Sequence, residues 1–302
     1  MKKSKKFTGQ LSDIDLRLLR IYKVVVESGG FSAAEVELNI TRAAISIAMS
    51  DLEDRLGFKL CQRGRSGFAL TEEGRQVYQF TLQVLSSIAE FRTQINTLHT
   101  QLVGELNIGI TDNLVTMPKM KITNALAELK QQGPDVVVNI RMIPPNDIEL
   151  GVLDGKLHVG MVPTLRSLSG LQYSPLYEER SKLYCSDTHP LFESSDHSLD
   201  LKEWDAVAPA YAQTPEIKEY YQQLKASATA TDREGVAFLI LTGQYIGYLP
   251  EHMAQRWVNE GRMRALAPEK YHYETQFSVI TRKGGRSNMV LETYLDFLNR
   301  SS

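Results

Sequence analysis

The sequence is short of several things, and each shortage removes a class of protein. Its 302 residues contain two cysteines, Cys61 and Cys185, far apart in the chain. That count rules out a disulfide-stapled secreted scaffold and reads as two reduced thiols. With 20 glycines and 11 prolines the chain is neither collagen-like nor low-complexity. No apolar run approaches the ~20 residues of a membrane helix; the longest, Val236–Leu241, stops at Thr242 and Gly243. The lysines at the start (Lys2, Lys3, Lys5, Lys6) lead into Thr8-Gly9-Gln10 rather than an apolar segment. No secretory signal is read there, and a cytoplasmic protein is expected. G-x-G-x-x-G, P-loop, G-x-S-x-G and H-E-x-x-H patterns are all missing, and the six histidines lack metal-ligand spacing. Neither cofactor, metal nor catalytic residue is therefore expected, and the chain reads as a non-enzyme.

What is present is an ordinary globular composition, 42% apolar and 23% charged, in a length that suggests two folding units. The net charge of −2 conceals a gradient: residues 1–75 hold 13 Lys/Arg against 10 Asp/Glu, while the rest is acidic. A mildly basic head on an acidic body points faintly toward nucleic acid.

The head carries a sharper signal. Ser12 and Asp15 predict a helix start, with Ile14, Leu18, Tyr22, Val25 and Val26 on one face and Gly29-Gly30 as its stop. Ser32-Ala33-Ala34-Glu35 has the form of a capping box. Asn39 suits a left-handed turn, after which Thr41 caps a third helix ending at Gly57. In that helix Ile45, Met49, Leu52 and Leu56 face a core, while Arg42, Ala43, Ser46, Ile47 and Ser50 face away. Two helices joined by so short a turn form a helix-turn-helix, whose second helix fits the major groove. A small three-helix bundle with a solvated face would look the same up to this point. Leu60 to Thr71 then reads as two extended runs around a basic Gly-rich turn. This is a wing whose Arg63 and Arg65 would meet phosphates or the minor groove.

These pieces together resemble the winged helix-turn-helix of LysR-type transcriptional regulators: Gly30-Phe31-Ser32-Ala33-Ala34, Thr41-Arg42-Ala43-Ala44-Ile45-Ser46, Leu52-Glu53-Asp54-Arg55-Leu56-Gly57, and Leu70-Thr71-Glu72-Glu73-Gly74. The resemblance implies DNA contacts from Ser32, Thr41, Arg42, Ala43, Ser46, Arg63 and Arg65. The chain departs from the family's pattern in four places. Arg42-Ala43 stands where the family commonly has Gln-Pro, Ile47 where it has Arg and Cys61 where it has Phe, and the wing tip is lighter in Arg, so base preferences of other members do not carry over.

From Thr71 a long helix is expected, with Val77, Val84, Ile88, Phe91, Ile95, Leu98 and Leu102 in a heptad seam. About thirty helical residues span ~45 Å, longer than a small winged domain can cover. Self-association is therefore predicted through Val84, Ile88, Phe91, Ile95 and Leu98, giving a homodimer or homotetramer. Two heads would then meet an interrupted dyad in double-stranded DNA.

After Gly104 strands alternate with helices: Leu106–Ile110, a helix at about 117–129, Val136–Ile143, a short helix at 147–153, and Val159–Val162. That order predicts a parallel α/β sheet. Further units are expected around 204–210, 226–241 and 246–256, with a late strand at 277–281 and a closing helix at 289–298. The body resembles the LysR effector-binding domain, which implies two lobes like those of periplasmic binding proteins, joined by two crossover strands. The expected parts are a DNA-binding domain at 1–71, a dimerisation helix at 72–103 and an effector-binding domain at 104–302.

Ligands in such sheets sit beyond the carboxyl ends of strands. Thr111, Asp112, Asn113, Pro144, Pro145 and Pro163 occupy those places, and Tyr211, Thr231 and Tyr248 are candidates from the second lobe. Thr111, Asn113 and Thr231 are also plausible helix caps. Without an evident Arg clamp, a neutral or amine-bearing effector is favoured over an acidic one. His158 and His189 read as structural, and Cys185 as an inert buried thiol. The function expected is a DNA-binding regulator gated by a small molecule, with RNA polymerase as a possible partner and no membrane. The alternatives are a DNA-binding protein without effector and a solute-binding α/β protein. The wing argues against the second, and the long body against the first.

Overall fold

A computed structural model describes residues 10–64, 67–97, 102–193, 200–211, 213–285 and 288–300. The chain divides into two compact units, Met1–Ile95 with Asp154–Lys156, and Asn96–Leu153 with Leu157–Ser302.

The first unit opens with α1 (Asp13–Glu27), α2 (Phe31–Leu38) and α3 (Arg42–Leu56). Ser12 and Asp15 form the reciprocal cap of α1, and the two serine hydrogen bonds hold the Asp15 carboxyl below its usual range. Ile14 lies on the exposed side, outside the core stripe expected of it. The Ser32–Glu35 box does not form. α2 starts one residue earlier, at Phe31, behind Gly30, whose φ of 148° turns the chain and leaves no side-chain cap. Glu35 instead accepts from the Arg42 N–H at 3.1 Å, tying α2 to the start of α3. Asn39 (φ 51°) and Gly57 (φ 85°) take the left-handed positions foreseen for them, and Thr41 accepts from the Ala44 N–H.

Leu18, Tyr22, Val25, Ala34, Ile45, Met49, Leu52 and Leu60 fill the core of this unit. Cys61 is buried there too. The wing is β1 (Cys61–Gly64) paired antiparallel with β2 (Gly67–Leu70). Its base is fixed to α3 by Glu53, a buried acid of that helix whose carboxylate accepts from the Leu60 N–H at 2.9 Å and Lys59 Nζ at 2.6 Å. Next comes α4 (Glu72–Thr97), opened by Thr71, whose hydroxyl accepts from the Gly74 N–H. Leu102, expected on the α4 seam, is not helical and packs against the core of the second unit.

The second unit begins with β3 (Gly104–Ile110), α5 (Lys121–Gln132), β4 (Val136–Met142), α6 (Pro145–Leu153) and β5 (Val159–Pro163). The predicted helix at 117–129 lies three to four residues later, because a 3-10 turn at Leu114–Thr116 and left-handed Met120 precede it. β4, β3 and β5 are parallel, as the alternation required. β6 (Leu171–Ser186) then runs sixteen residues out of this lobe. The second lobe holds β7 (Asp205–Pro209), α7 (Pro215–Gln222), β8 (Lys225–Ala230), α8 (Arg233–Leu241), β9 (Gly247–Pro250), α9 (Glu251–Asn259) and β10 (Met263–Ala265). β11 (His272–Arg282) returns antiparallel to β6, and α10 (Met289–Arg300) closes on the first lobe. β6 and β11 are thus the two crossover strands, each belonging to both lobes.

His158 is structural. Its Nδ1 accepts from the Asn107 N–H at 3.1 Å, and its own N–H donates to the Asn107 carbonyl at 2.8 Å, pinning β5 to β3. Burial lowers its pKa below the usual 6.5. Because the unfolded chain takes up that proton first, the stability His158 supplies is present above about pH 6.5 and lost as pH falls below it. Melting wild type and His158→Gln from pH 8 to pH 5 should show the steeper acid loss in wild type; parallel curves would refute this role.

Candidate functional site

Two sites emerge, one in each unit. In the first, the outward face of α3 presents Arg42, Ala43, Ala44 and Ile47 as exposed residues, with Ser46 and Ser50 half-buried. Thr41, at the cap, and Ser32, in the first turn of α2, are exposed beside them. Arg63 lies on β1 opposite Phe68, while Arg65 falls outside the described residues. A helix with a small-residue outward face, flanked by a two-stranded wing, can enter a major groove and hold its flank.

The α4 stripe has the character of an unfilled seam. Phe91 and Ile95 are exposed and Val84 and Ile88 half-buried in the single chain; Leu98 lies outside the described residues.

In the second unit a buried chain of charges crosses between the lobes. Arg233, first residue of α8, reaches Asp112 Oδ1 through Nη1 at 2.9 Å and Glu179 Oε1 through Nη2 at 2.8 Å. Its backbone N–H also donates to Asp112 Oδ2 at 2.7 Å. Asp112 follows β3 in the first lobe, and Glu179, only 1% exposed, stands on the crossover strand β6. The other Glu179 oxygen meets His252 Nε2 at 3.1 Å, and His252 Nδ1 lies 2.6 Å from Thr116 Oγ1, again across the lobes. Burial opposes the guanidinium charge, but Glu179 first, with Tyr211 and Asp112, outweighs it and raises the Arg233 pKa.

Beside this cluster Pro163, Tyr211, Tyr248, Tyr273, Gln213 and Ile217 line a narrow cavity. Its free space is small, about 30 Å³. Tyr220, Tyr221, Tyr248 and Tyr273 pack around it with ring centres 5.1–6.3 Å apart, and the Tyr221 and Tyr273 hydroxyls are 3.1 Å apart. Burial raises the Tyr211, Tyr221, Tyr248 and Tyr273 phenols above their ordinary range, so all are neutral at physiological pH. The Tyr248 hydroxyl is buried without a hydrogen-bond partner among the described residues.

Of the residues named from sequence, Pro163, Tyr211 and Tyr248 line this cavity, and Asp112 locks its flank. Asn113 supports Asp112 through Nδ2 at 2.9 Å. Thr111 is buried and lines a separate apolar recess of the first lobe with Leu114 and Tyr177. Pro144, Pro145 and Thr231 are not in the cavity. Pro144 is exposed, Pro145 starts α6, and Thr231 is exposed beside Asp232, which caps α8 in its place. The expected lack of an Arg clamp is corrected: Arg233 occupies the cleft, already engaged by two carboxylates. Its signal was its position directly after the α8 cap; Glu179 and Tyr273 sit in mid-strand and carry none. Cys185 is buried, with its thiol pushed up to about 11, and is unsuited to redox chemistry.

A winged helix-turn-helix followed by a two-lobed cleft with a charged clasp defines a ligand-responsive DNA-binding regulator. The chain belongs to the LysR family: residues 16–75 match the bacterial regulatory helix-turn-helix protein, lysR family, and residues 99–302 the LysR substrate binding domain. It is 57% identical over 291 residues to the HTH-type transcriptional activator BauR of Pseudomonas aeruginosa, covering 95% of both chains. Among solved structures it superposes on full-length CbnR complexed with its target DNA, with TM-score 0.65 and 18% identity, over 95% of this chain and 99% of that one. CbnR alone, a LysR family transcriptional regulator, gives TM-score 0.67 at 17% identity, over 95% and 98%. The protein is thus a sequence-specific DNA-binding regulator of transcription with an effector-binding domain. No helix among the described residues is long and apolar enough to cross a membrane.

Proposed function

We propose that an effector regulates this protein by competing for the Asp112–Arg233–Glu179 cluster, and that the output, as in the BauR relative, is activation. The observation that carries the reading is the bond between Asp112 of the first lobe and Arg233 of the second, made beside a narrow tyrosine-lined cavity. A ligand that takes over either group parts the lobes' bond, so binding and lobe position become one equilibrium. Two carboxylates face one guanidinium among neutral tyrosines, which supports an amine-bearing or neutral effector over an acidic one. Tyr248 offers it an unused hydroxyl.

In the same reading residues 1–71 read DNA, with Ser32, Thr41, Arg42, Ala43, Ser46, Arg63 and Arg65 as contacts. Residues 72–103 pair subunits through Val84, Ile88, Phe91, Ile95 and Leu98, and residues 104–302 hold the effector. A homodimer or homotetramer on an interrupted dyad then changes DNA bending and access to RNA polymerase in the cytoplasm.

Full-length protein titrated onto the promoter DNA beside its own gene, with and without a panel of small amines, tests the scheme. Arg63→Ala should weaken binding to all sequences and flatten its salt dependence by about one unit of slope. Tyr248→Phe should leave DNA affinity intact and blunt only the amine response. Wild-type affinity in Arg63→Ala, or an amine response unchanged in Tyr248→Phe, would remove those assignments.

A further inference from the structure

Ile47 is the feature that the known activity does not absorb. It projects from the middle of the outward face of α3, 64% exposed, between Ala43 one turn before and Asp51 one turn after. A single exposed isoleucine on an ordinary surface needs no explanation. Here, however, the surface is the one that enters the groove, and its neighbours Arg42, Ala43, Ser46 and Ser50 are small, polar or basic. Asp51 and Asp54, both exposed, bar the C-terminal half of the face from phosphates. The half of α3 that can approach DNA is therefore its first two turns, with Ile47 at their end.

An isoleucine in a major groove can neither give nor accept a hydrogen bond. Against a guanine, cytosine or adenine edge it would strip water from a donor or acceptor and return nothing, at a cost. One base edge carries an apolar group at that surface: the 5-methyl of thymine. The branched side chain is also held near one χ1 rotamer in a helix, so little side-chain freedom is lost on contact.

We propose that Ile47 reads a thymine 5-methyl group in each half-site, as a specificity-determining contact. The inference rests on the reading that the outward face of α3 enters the major groove. The full-length protein is footprinted on the promoter DNA beside its gene, and a synthetic duplex of the protected site is prepared. Thymines are replaced one pair at a time, symmetrically in both half-sites, by deoxyuridine, which removes the methyl and nothing else. Each half-site should contain one thymine whose replacement weakens wild-type binding by about four-fold per half-site, the worth of one methyl withdrawn from water. Ile47→Ala, its fold checked by circular dichroism melting, should bind the dT and dU duplexes equally. Loss of methyl sensitivity at every position in wild type, or full sensitivity retained in Ile47→Ala, would overturn the assignment. Arg42→Ala separates the two levels. If it also leaves affinity untouched, the reading of α3 itself fails; if it weakens binding while the methyl effect is absent, only the Ile47 inference fails.

Discussion

Replacing Arg233 by Met is expected to destabilise the effector domain by about 3–5 kcal/mol, the range for removing one partner from a buried ion cluster. Arg233 is 11% exposed and Glu179 1%, so water cannot take over when the guanidinium is lost. Asp112 is less deeply placed at 27% and recovers part of its solvation. Among the described residues Glu179 would keep His252 as its one remaining ion-pair partner. For a domain of this size the loss corresponds to a fall in Tm on the order of 6–20 °C, read by calorimetry on the full chain. Charge is the cause rather than shape, so Arg233→Met combined with Glu179→Gln and Asp112→Asn should recover most of the fall. A Tm within a degree or two of wild type in the single variant would show that the cluster does not hold the lobes.

Gly74→Ala is expected to damage DNA binding far more than its chemistry suggests. In an exposed helix the exchange would stabilise by about 1 kcal/mol. Here a Cβ would stand 2.0 Å from the Leu60 carbonyl oxygen and 2.9 Å from its carbon, backbone atoms that no rotamer change can move. Relief requires α4 to withdraw from the base of the wing. That strains the Thr71 N–H bond to the Leu60 carbonyl, 3.0 Å, and the buried Tyr22 hydroxyl bond to the Gly74 carbonyl, 2.6 Å. Overpacking of this kind costs about 1–3 kcal/mol or more. The displaced wing should lower operator affinity at least ~10-fold, because it carries Arg63, the phosphate contact proposed above. Anisotropy titration of Gly74→Ala against Gln76→Ala, an exposed neighbour, checks this. Equal affinities would mean that the contact is absorbed elsewhere.

Local signals made the head legible. The Ser12 cap, left-handed Asn39 and Gly57, and the Thr41 and Thr71 caps each depend on a few adjacent residues, and each stands where expected. The Ser32 box failed for a tertiary reason: Glu35 is taken by the Arg42 N–H of the next helix. Leu102 keeps heptad spacing, yet the core of the second unit claims its side chain once the helix has ended. Periodicity cannot say which of two apolar surfaces will bury a residue.

In the body, alternation was enough to read a parallel sheet and to place Asp112, Pro163, Tyr211 and Tyr248 near strand ends. It could not single out Arg233, Glu179, His252 and Tyr273, which lie on four different elements and meet only when the crossover strands bring the lobes together.

The shortages noted at the outset, two distant thiols, scattered histidines and no long apolar run, excluded other classes, and the motifs at Gly30–Ala34, Thr41–Ser46, Leu52–Gly57 and Leu70–Gly74, by their resemblance, pointed to a LysR-type regulator. These are properties of composition and near neighbours, and they survive in an unfolded string. Only the tertiary structure decided that Arg233 clasps Asp112 and Glu179 between the two lobes. A guanidinium acquires its partners, and its cost of removal, from side chains 54 and 121 residues away in the chain.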